Sequence, residues 1–414
     1  MTARSTELAP TDARPTAWYD APRRALAEWD AARAAIATIF LLDGLTFGIW
    51  VAHLPLIKRG LHLSDLAFAT ALAGVVCGAF VAQPLAGALS TRTGTRPITR
   101  VASVLGCLAL ALPPFAPTLA TLVASTALFG FVRGGTEVPM NAQAALLEAR
   151  DGRPRMSSFH GCFSLGGFLG AGIAALLLRA GLGARVTLPV TAVGAAALSF
   201  AVSRYLLRDA PATPAQRAPR APTAHGSPFA ALAHDGTLLA LGALGFCGLF
   251  GEGAMSDWSA LLLERTARVT PDAAALGYAA FSIAMTIGRF SGDAVIAAAG
   301  RARTLRASGF LAALGLTIAL VSPYALAVLG FAAVGFGYAN LVPILFSASG
   351  RRAGPAGIAA VSTVGYAGFV IGPPVIGGLS QLLGSLPLAL SVVAAFALLI
   401  ALGAGAVDRV PRVS

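Results

Sequence analysis

Charge is what this sequence has least of. Asp, Glu, Lys and Arg together make up 12% of its 414 residues, about half the share found in a soluble domain. A water-facing surface of ordinary composition cannot be assembled from that. Lysine is nearly missing: Lys58 is the single one among 30 basic residues, and all the others are arginine. Cysteine is scarce too. Cys77, Cys107, Cys162 and Cys247 all sit in apolar stretches at no metal-ligand spacing, so they read as packing residues and no disulfide framework or metal centre is expected. There is no Walker A loop, no HExxH, no GxSxG and no Cys/His cluster. ATP-driven transport and the familiar intramembrane protease motifs therefore have no support, and neither enzymatic activity nor a cofactor is expected. Residues 1–32 are polar and rich in Pro, Ala and Arg, without the apolar region of a signal peptide.

What the chain does have is long apolar runs. It is 56% hydrophobic with a mean hydropathy of +0.75, the composition of a polytopic membrane protein. Twelve spans are predicted, at roughly 34–56, 66–89, 98–116, 119–147, 157–180, 185–206, 237–263, 272–292, 304–321, 324–347, 356–381 and 386–407. The expected organisation is a cytoplasmic tail over 1–33, a six-helix half over 34–206, a Pro-rich cytoplasmic linker over 207–233, a second six-helix half over 234–408, and a short cytoplasmic tail over 409–414. Just before the first span, Ala21–Arg33 fits either a short interfacial helix, with Trp29 at headgroup level, or a plain tail.

The net charge of +12 is compatible with nucleic-acid binding, but its placement argues for a lipid bilayer as partner and against nucleic acid. Basic residues fall in the gaps between apolar runs. With the N-terminus inside, 22 lie in cytoplasmic segments, 6 outside and 2 within spans. That bias puts both termini in the cytoplasm of a cell with an inner, cytoplasmic membrane. The halves also repeat. GALSTRTGTR (87–96) after span 2 matches GDAVIAAAGR (292–301) after span 8 at an offset of 205; LFGF (128–131) matches VLGF (328–331) at 200; GGFLGA (166–171) matches GFVIGP (368–373) at 202. Matches in the same order at nearly one offset define a parallel internal repeat, with a substrate path expected at its interface.

Buried charge marks the candidate site. Arg133, Glu137 and Asn141 are spaced i, i+4, i+8 on span 4 and share one face. Glu137 lies 11 residues before Glu148, or roughly 16 Å, near the middle of a hydrocarbon core about 30 Å thick. Pro139, on the same turn, leaves the carbonyl of Gly135 without its helix partner. An ionisable group at that depth is costly unless paired, protonated or facing water, and is a functional candidate by default. Two readings stay open on the residues alone. Arg133 and Glu137 either neutralise each other structurally, or they supply a proton-carrying carboxylate with a cation beside it. Asp43, Glu252, Asp257 and His160 also fall in or near spans. His53 and His160 lie closer to span ends, where packing histidines are commoner than proton relays. Trp50, Trp258, Asn141 and His160 are candidates for holding a solute by stacking and hydrogen bonding. Gly166 and Gly170, and Gly368 and Gly372 with Pro373 and Pro374, form small faces for close helix packing.

The loop Gly87-Ala88-Leu89-Ser90-Thr91-Arg92-Thr93-Gly94-Thr95-Arg96 resembles the signature GxLaDRxGRR of the major facilitator superfamily, departing from it at Thr91, where the family usually has Asp. Gly87, Arg92, Gly94 and Arg96 are its gating-loop positions. In the second copy Asp293 follows Arg289 by four residues, spaced for an ion pair. The plain alternative is a pair of positive-inside loops. Together with the 6+6 repeat, this resemblance covers residues 34–407 and implies an all-α polytopic fold of twelve transmembrane helices. Within the family, RGGTEVPMNAQ, MSSFHGCFSLGG and GEGAMSDWSALLLE resemble the fucose permease-like branch. That branch associates an acid four residues before Asn on span 4 with proton coupling, here Glu137 and Asn141. The branch's acid near the end of span 1, shortly before a proline, has no counterpart: Val51 stands four residues before Pro55, and the acid of span 1 is Asp43, two turns deeper. What the resemblance implies is a monomeric secondary transporter, working by alternating access and coupling protons to a small polar, sugar-like solute through Glu137, Arg133, Asp43 and Glu252. The rival readings are a proton-antiport exporter of a drug-like or biosynthetic molecule, and a transport-inactive sensor or scaffold on the same fold.

Overall fold

A computed structural model describes residues 17–63, 65–209 and 234–410. The N-terminal tail before residue 17, most of the expected linker (210–233) and the last four residues lie outside the described residues. Every regular element among those described is helical: α1 (Ala17–Gly60), α2 (Asp65–Thr93), α3 (Thr95–Ala109), α4 (Leu119–Asp151), α5 (Met156–Arg179), α6 (Ala184–Ser203), α7 (Gly236–Ala267), α8 (Pro271–Ala299), α9 (Arg301–Val321), α10 (Tyr324–Tyr338), α11 (Leu341–Leu383) and α12 (Leu386–Gly403). The stretch Ala21–Arg33 is neither a separate interfacial helix nor a loose tail but the continuous start of α1.

By length and composition, ten described helical segments can cross a membrane. One of them, Tyr324–Leu383, runs for 60 residues, about 90 Å at 1.5 Å per residue, three times the hydrocarbon thickness. It is two crossings. Within α11 the backbone leaves helical geometry at Ala353 (φ −146°) and Gly354 (φ 55°), a left-handed step that glycine takes at no steric cost. The tenth crossing is thus α10 with the first part of α11, and the eleventh begins at Pro355. The remaining crossing is α8, whose 29 residues include Arg289 and Asp293. This gives twelve crossings in two six-helix halves.

The two halves pack in the same order. In the first, α1 lies against α5, α2 against α4, and α3 against both α4 and α6; in the second, α7 lies against α11, α8 against α10, and α9 against α10 and α12. Glycines set the close contacts. A Cβ on Gly134 would meet the backbone of Ala79 on α2 at 2.5 Å, and Gly166 and Gly170 bring α5 onto the carbonyls of Leu41 and Leu45 on α1. Gly368 does the same for α11 against Phe246 on α7. In a bilayer, where apolar burial gives helices little reason to associate, such contact is the main source of adhesion.

Contacts between halves run from α2 and α4 to α11 and from α5 to α8 and α11. Gly87 packs on Ala359 and the Pro355 carbonyl, and Gly350 on Ala145. At the end of α4, Glu148 is 5% exposed and gathers Arg301 Nη2 (2.6 Å), Arg351 Nη1 (3.3 Å) and the Ser347 hydroxyl from the other half. It also accepts the backbone N–H groups of Arg155 and Met156 at the start of α5.

Candidate transport site

Span 4 carries its polar face through the middle of the molecule, as its spacing predicts, but the pairing along that face is different from the expected one. Arg133 does not pair with Glu137. It reaches across to α1, where its Nε and Nη2 donate to the two carboxylate oxygens of Asp43, each at 2.9 Å. The guanidinium lies over the ring of Phe47, 4.5 Å from its centroid, with Phe129 at 5.7 Å. A planar fork between two aromatic faces satisfies the cation where water is scarce. The i, i+4 spacing is right for a pair on one helix, but the bidentate geometry open to Asp43 on a neighbouring helix is better.

Among the described residues, Glu137 is thereby left without an ion-pair partner. Its Oε2 accepts from Gln83 Nε2 on α2 (3.1 Å) and its Oε1 from the Tyr366 hydroxyl on α11 (2.8 Å). Gln83 belongs to the first half and Tyr366 to the second, so one carboxylate near the middle of α4 ties the halves together. Neither partner stands out in the sequence. The signal available was a Gln–Pro pair at 83–84 and a lone tyrosine at 366, each inside an apolar span. One turn on, Asn141 donates to the Glu137 carbonyl (2.9 Å), and its Oδ1 lies 3.1 Å from His160 Nε2 on α5. The His160 ring is packed between Phe40 and Phe346. Glu137, Asn141 and His160 therefore form one connected group.

A second charged pair lies in the other half. Glu252 on α7 approaches Arg289 on α8 at 3.6 Å, and Arg289 Nη1 donates to Ser164 Oγ on α5 at 2.6 Å. The expected Arg289–Asp293 pair is not formed. Asp293 instead caps the start of α5 across the interface, accepting the N–H groups of Ser157 and Ser158, both at 3.0 Å, and the Ser158 hydroxyl. A carboxylate on unsatisfied N–H groups at a helix start outcompetes an i, i+4 pair on the same helix.

Other expected residues fall elsewhere. Trp50 is buried against Phe129 within the first half, 5.6 Å between centroids, and lies in a packing cluster rather than with Glu137. Trp258 is half-buried, its indole N–H unpartnered, beside Gly377. His53 is buried and bonded to the Ile49 carbonyl (2.8 Å). Asp257 is exposed, with Ser256 as its partner. In the loop resembling the gating signature, Thr91 spends its hydroxyl on the Gly87 carbonyl (2.9 Å). Gly94 turns the chain at φ 87°, and Asp209, not a residue of the loop, accepts the N–H groups of Thr95 and Arg96 at the start of α3. Arg96 donates to the Arg204 carbonyl (2.6 Å) and Arg92 is exposed. Among the described residues, no group of His, Cys, Asp and Glu is arranged to hold a metal ion.

Twelve crossings in two like-packed halves, joined by buried polar groups along α4, define a polytopic helical membrane transporter. The chain belongs to the Major Facilitator Superfamily, whose profile matches residues 36–356. It is 36% identical over 382 residues to an uncharacterized MFS-type transporter of Yersinia pestis, covering 89% of this chain and 94% of the relative. It is 35% identical over 356 residues to the membrane protein MosC of Rhizobium meliloti, covering 84% of each. In fold it is similar to the transporter FucP in an outward conformation, with TM-score 0.74 at 17% identity over 91% of this chain and 98% of that one. It is also similar to the human organic anion transporter MFSD10, with TM-score 0.73 at 18% identity over 91% and 99%. The protein is a multi-pass membrane transporter and not an enzyme.

Proposed function

We propose that this transporter is a proton-coupled secondary carrier that works by alternating access and takes up a small polar solute, with Glu137 as the coupling group. The observation that carries the reading is the setting of Glu137. It is a mid-depth carboxylate whose partners are neutral donors from opposite halves, Gln83 and Tyr366, while the nearby cation is engaged by Asp43. A carboxylate so placed can take a proton without leaving a buried arginine unpaired. Gain or loss of that proton changes what it offers Tyr366, and so changes the bond between the halves. Two structural neighbours are named as proton symporters of fucose and xylose, which supports the same direction of coupling here.

On this reading the site comprises Glu137 with Asn141 and His160, and the Asp43–Arg133 and Glu252–Arg289 pairs flank it. The arginine bias orients the Glu148 end to the cytoplasm, so the halves are closed there and the solute enters from outside. The protein works as a monomer in the inner membrane, both termini cytoplasmic, with the two halves at 34–206 and 234–408 moving about the site and residues 207–233 linking them.

The test is uptake of radiolabelled solutes into proteoliposomes under an imposed pH gradient of either sign. Glu137→Gln mimics the protonated carboxyl, so it should retain solute exchange while losing pH-driven accumulation. Uphill transport undiminished in that variant removes Glu137 from the coupling role.

A further inference from the structure

The two arginines buried within the spans differ in one respect that bears on the solute. Arg133 presents the Nε–Nη2 edge of its guanidinium to Asp43, and both hydrogen bonds are made at 2.9 Å. Arg289 has the same edge, and among the described residues it makes no hydrogen bond there. Its Nε is buried with no partner, and its Nη2 has only Glu252 at 3.6 Å, beyond hydrogen-bond length. The far nitrogen, Nη1, is anchored to Ser164 on the opposite half, which holds the plane of the guanidinium in place. Arg289 is 7% exposed. An open donor edge on so buried a cation costs free energy unless something fills it. Glu252 is positioned to take the edge and does not close on it, and among the described residues it has no hydrogen-bond partner. On α10, the Tyr338 hydroxyl occupies the space that a side chain at Gly251, the residue before Glu252, would fill, and among the described residues it too is buried and unpartnered.

We propose that the open edge of Arg289 is a carboxylate-binding fork, and that the solute is a small hydroxylated organic acid. Its carboxylate takes Nε and Nη2 of Arg289 in the geometry Asp43 takes on Arg133, displacing Glu252. A hydroxyl of the solute meets Tyr338. Ser164 belongs to the first half and Arg289 to the second, so the bound acid sits where the two halves part. The inference rests on the transport reading above and narrows its polar solute to an acid.

The test uses the purified full chain in detergent and follows its melting temperature with acetate, lactate, glycerate and gluconate against glycerol and glucitol, at matched ionic strength. At least one carboxylate should raise the melting temperature saturably, and the neutral analogues should not. Arg289→Lys keeps the charge but loses the fork, and should weaken the apparent affinity about tenfold or more. Glu252→Gln removes the competing carboxylate and should tighten it. The measurement is made without a pH gradient, so failure of proton coupling does not affect it and only failure of acid recognition abolishes the carboxylate effect. The proposal is overturned if no carboxylate acts beyond its neutral analogue, or if Arg289→Lys binds as well as the parent. Should Arg289→Lys not fold, an affinity in Glu252→Gln that is unchanged or weaker overturns it equally.

Discussion

Arg133 on α4 and Asp43 on α1 form a two-pronged ion pair, with side chains 16% and 14% exposed, and Glu137 is outside it. Removing one partner of such a pair leaves the other charge buried and alone. Asp43→Asn should therefore lower stability by about 3 kcal/mol, the low end of the range for a broken buried pair because this one is not fully enclosed. Arg133→Gln added to Asp43→Asn should recover part of that loss, and a larger part than Glu137→Gln recovers when added to Arg133→Ala, because Asp43 and not Glu137 is the bonded partner. Melting temperatures in detergent measure all of these without knowledge of the solute. Recovery with Glu137→Gln but not with Asp43→Asn would reverse the assignment.

The fold was legible in the sequence because the bilayer makes long apolar runs compulsory. The predicted fourth and fifth spans, 119–147 and 157–180, differ by a few residues from α4, Leu119–Asp151, and α5, Met156–Arg179. Glu137 stands near the middle of α4, Leu119–Asp151, for the same reason. Its partners were not legible. Gln83 and Tyr366 lie 54 and 229 residues away, and a sequence shows only the pairings its own helix offers. That limit produced the expected Arg133–Glu137 and Arg289–Asp293 pairs: both are correctly spaced, and both lose to acceptors or donors on neighbouring helices. In the sequence Glu148 marks only the end of a span, since nothing local indicates that Arg301 and Arg351 converge on it.

Outside the spans, Asp235 supplies a pH-dependent contribution to stability. Its Oδ1 accepts the N–H groups of Thr237 and Leu238 at the start of α7, and its Oδ2 accepts from Arg352 Nε at 2.8 Å. Burial alone raises its pKa, but the Arg352 bond and the two backbone bonds outweigh burial and hold it below the usual 3.8. A depressed carboxylate pKa contributes stability that is present above its usual value and is lost as pH falls through the lower folded one. The melting-temperature gap between the parent and Asp235→Asn should thus stay constant from about pH 8 to 5 and shrink only below about pH 4. A gap that closes on the alkaline side would contradict this.

Orientation in the membrane is testable with positions that the fold exposes. Thr93, at the end of α2, and Ala180, just after α5, are both exposed and lie at opposite ends of the bundle by span count. The arginine bias places Thr93 inside and Ala180 outside. In a background without the four native cysteines, an impermeant maleimide applied to intact cells should label Ala180→Cys and spare Thr93→Cys until the membrane is broken. The opposite pattern would invert the topology and, with it, the direction in which the molecule is open.

Glu148 should govern how firmly the halves close at that end. It is the acceptor shared by Arg301, Arg351 and Ser347 from one half while it also caps the first turn of α5 in the other. Glu148→Gln keeps the shape but removes the charge that offsets two arginines, which then repel each other across the gap. The contact to watch is Ala145 with Gly350, where a Cβ on Gly350 would stand 2.8 Å from that of Ala145, within easy reach of the roughly 3.8 Å a disulfide needs after a small shift. Ala145→Cys with Gly350→Cys should cross-link readily in the otherwise unaltered protein, and the yield should drop severalfold when Glu148→Gln is added, because the population moves toward the arrangement in which these ends are apart. Thermal stability should fall less than the cross-linking yield, since the helices of each half keep their own contacts. An unchanged yield would mean that the apolar packing of Gly87 on Ala359 and of Ala145 on Gly350, and not the charge at Glu148, holds the halves together.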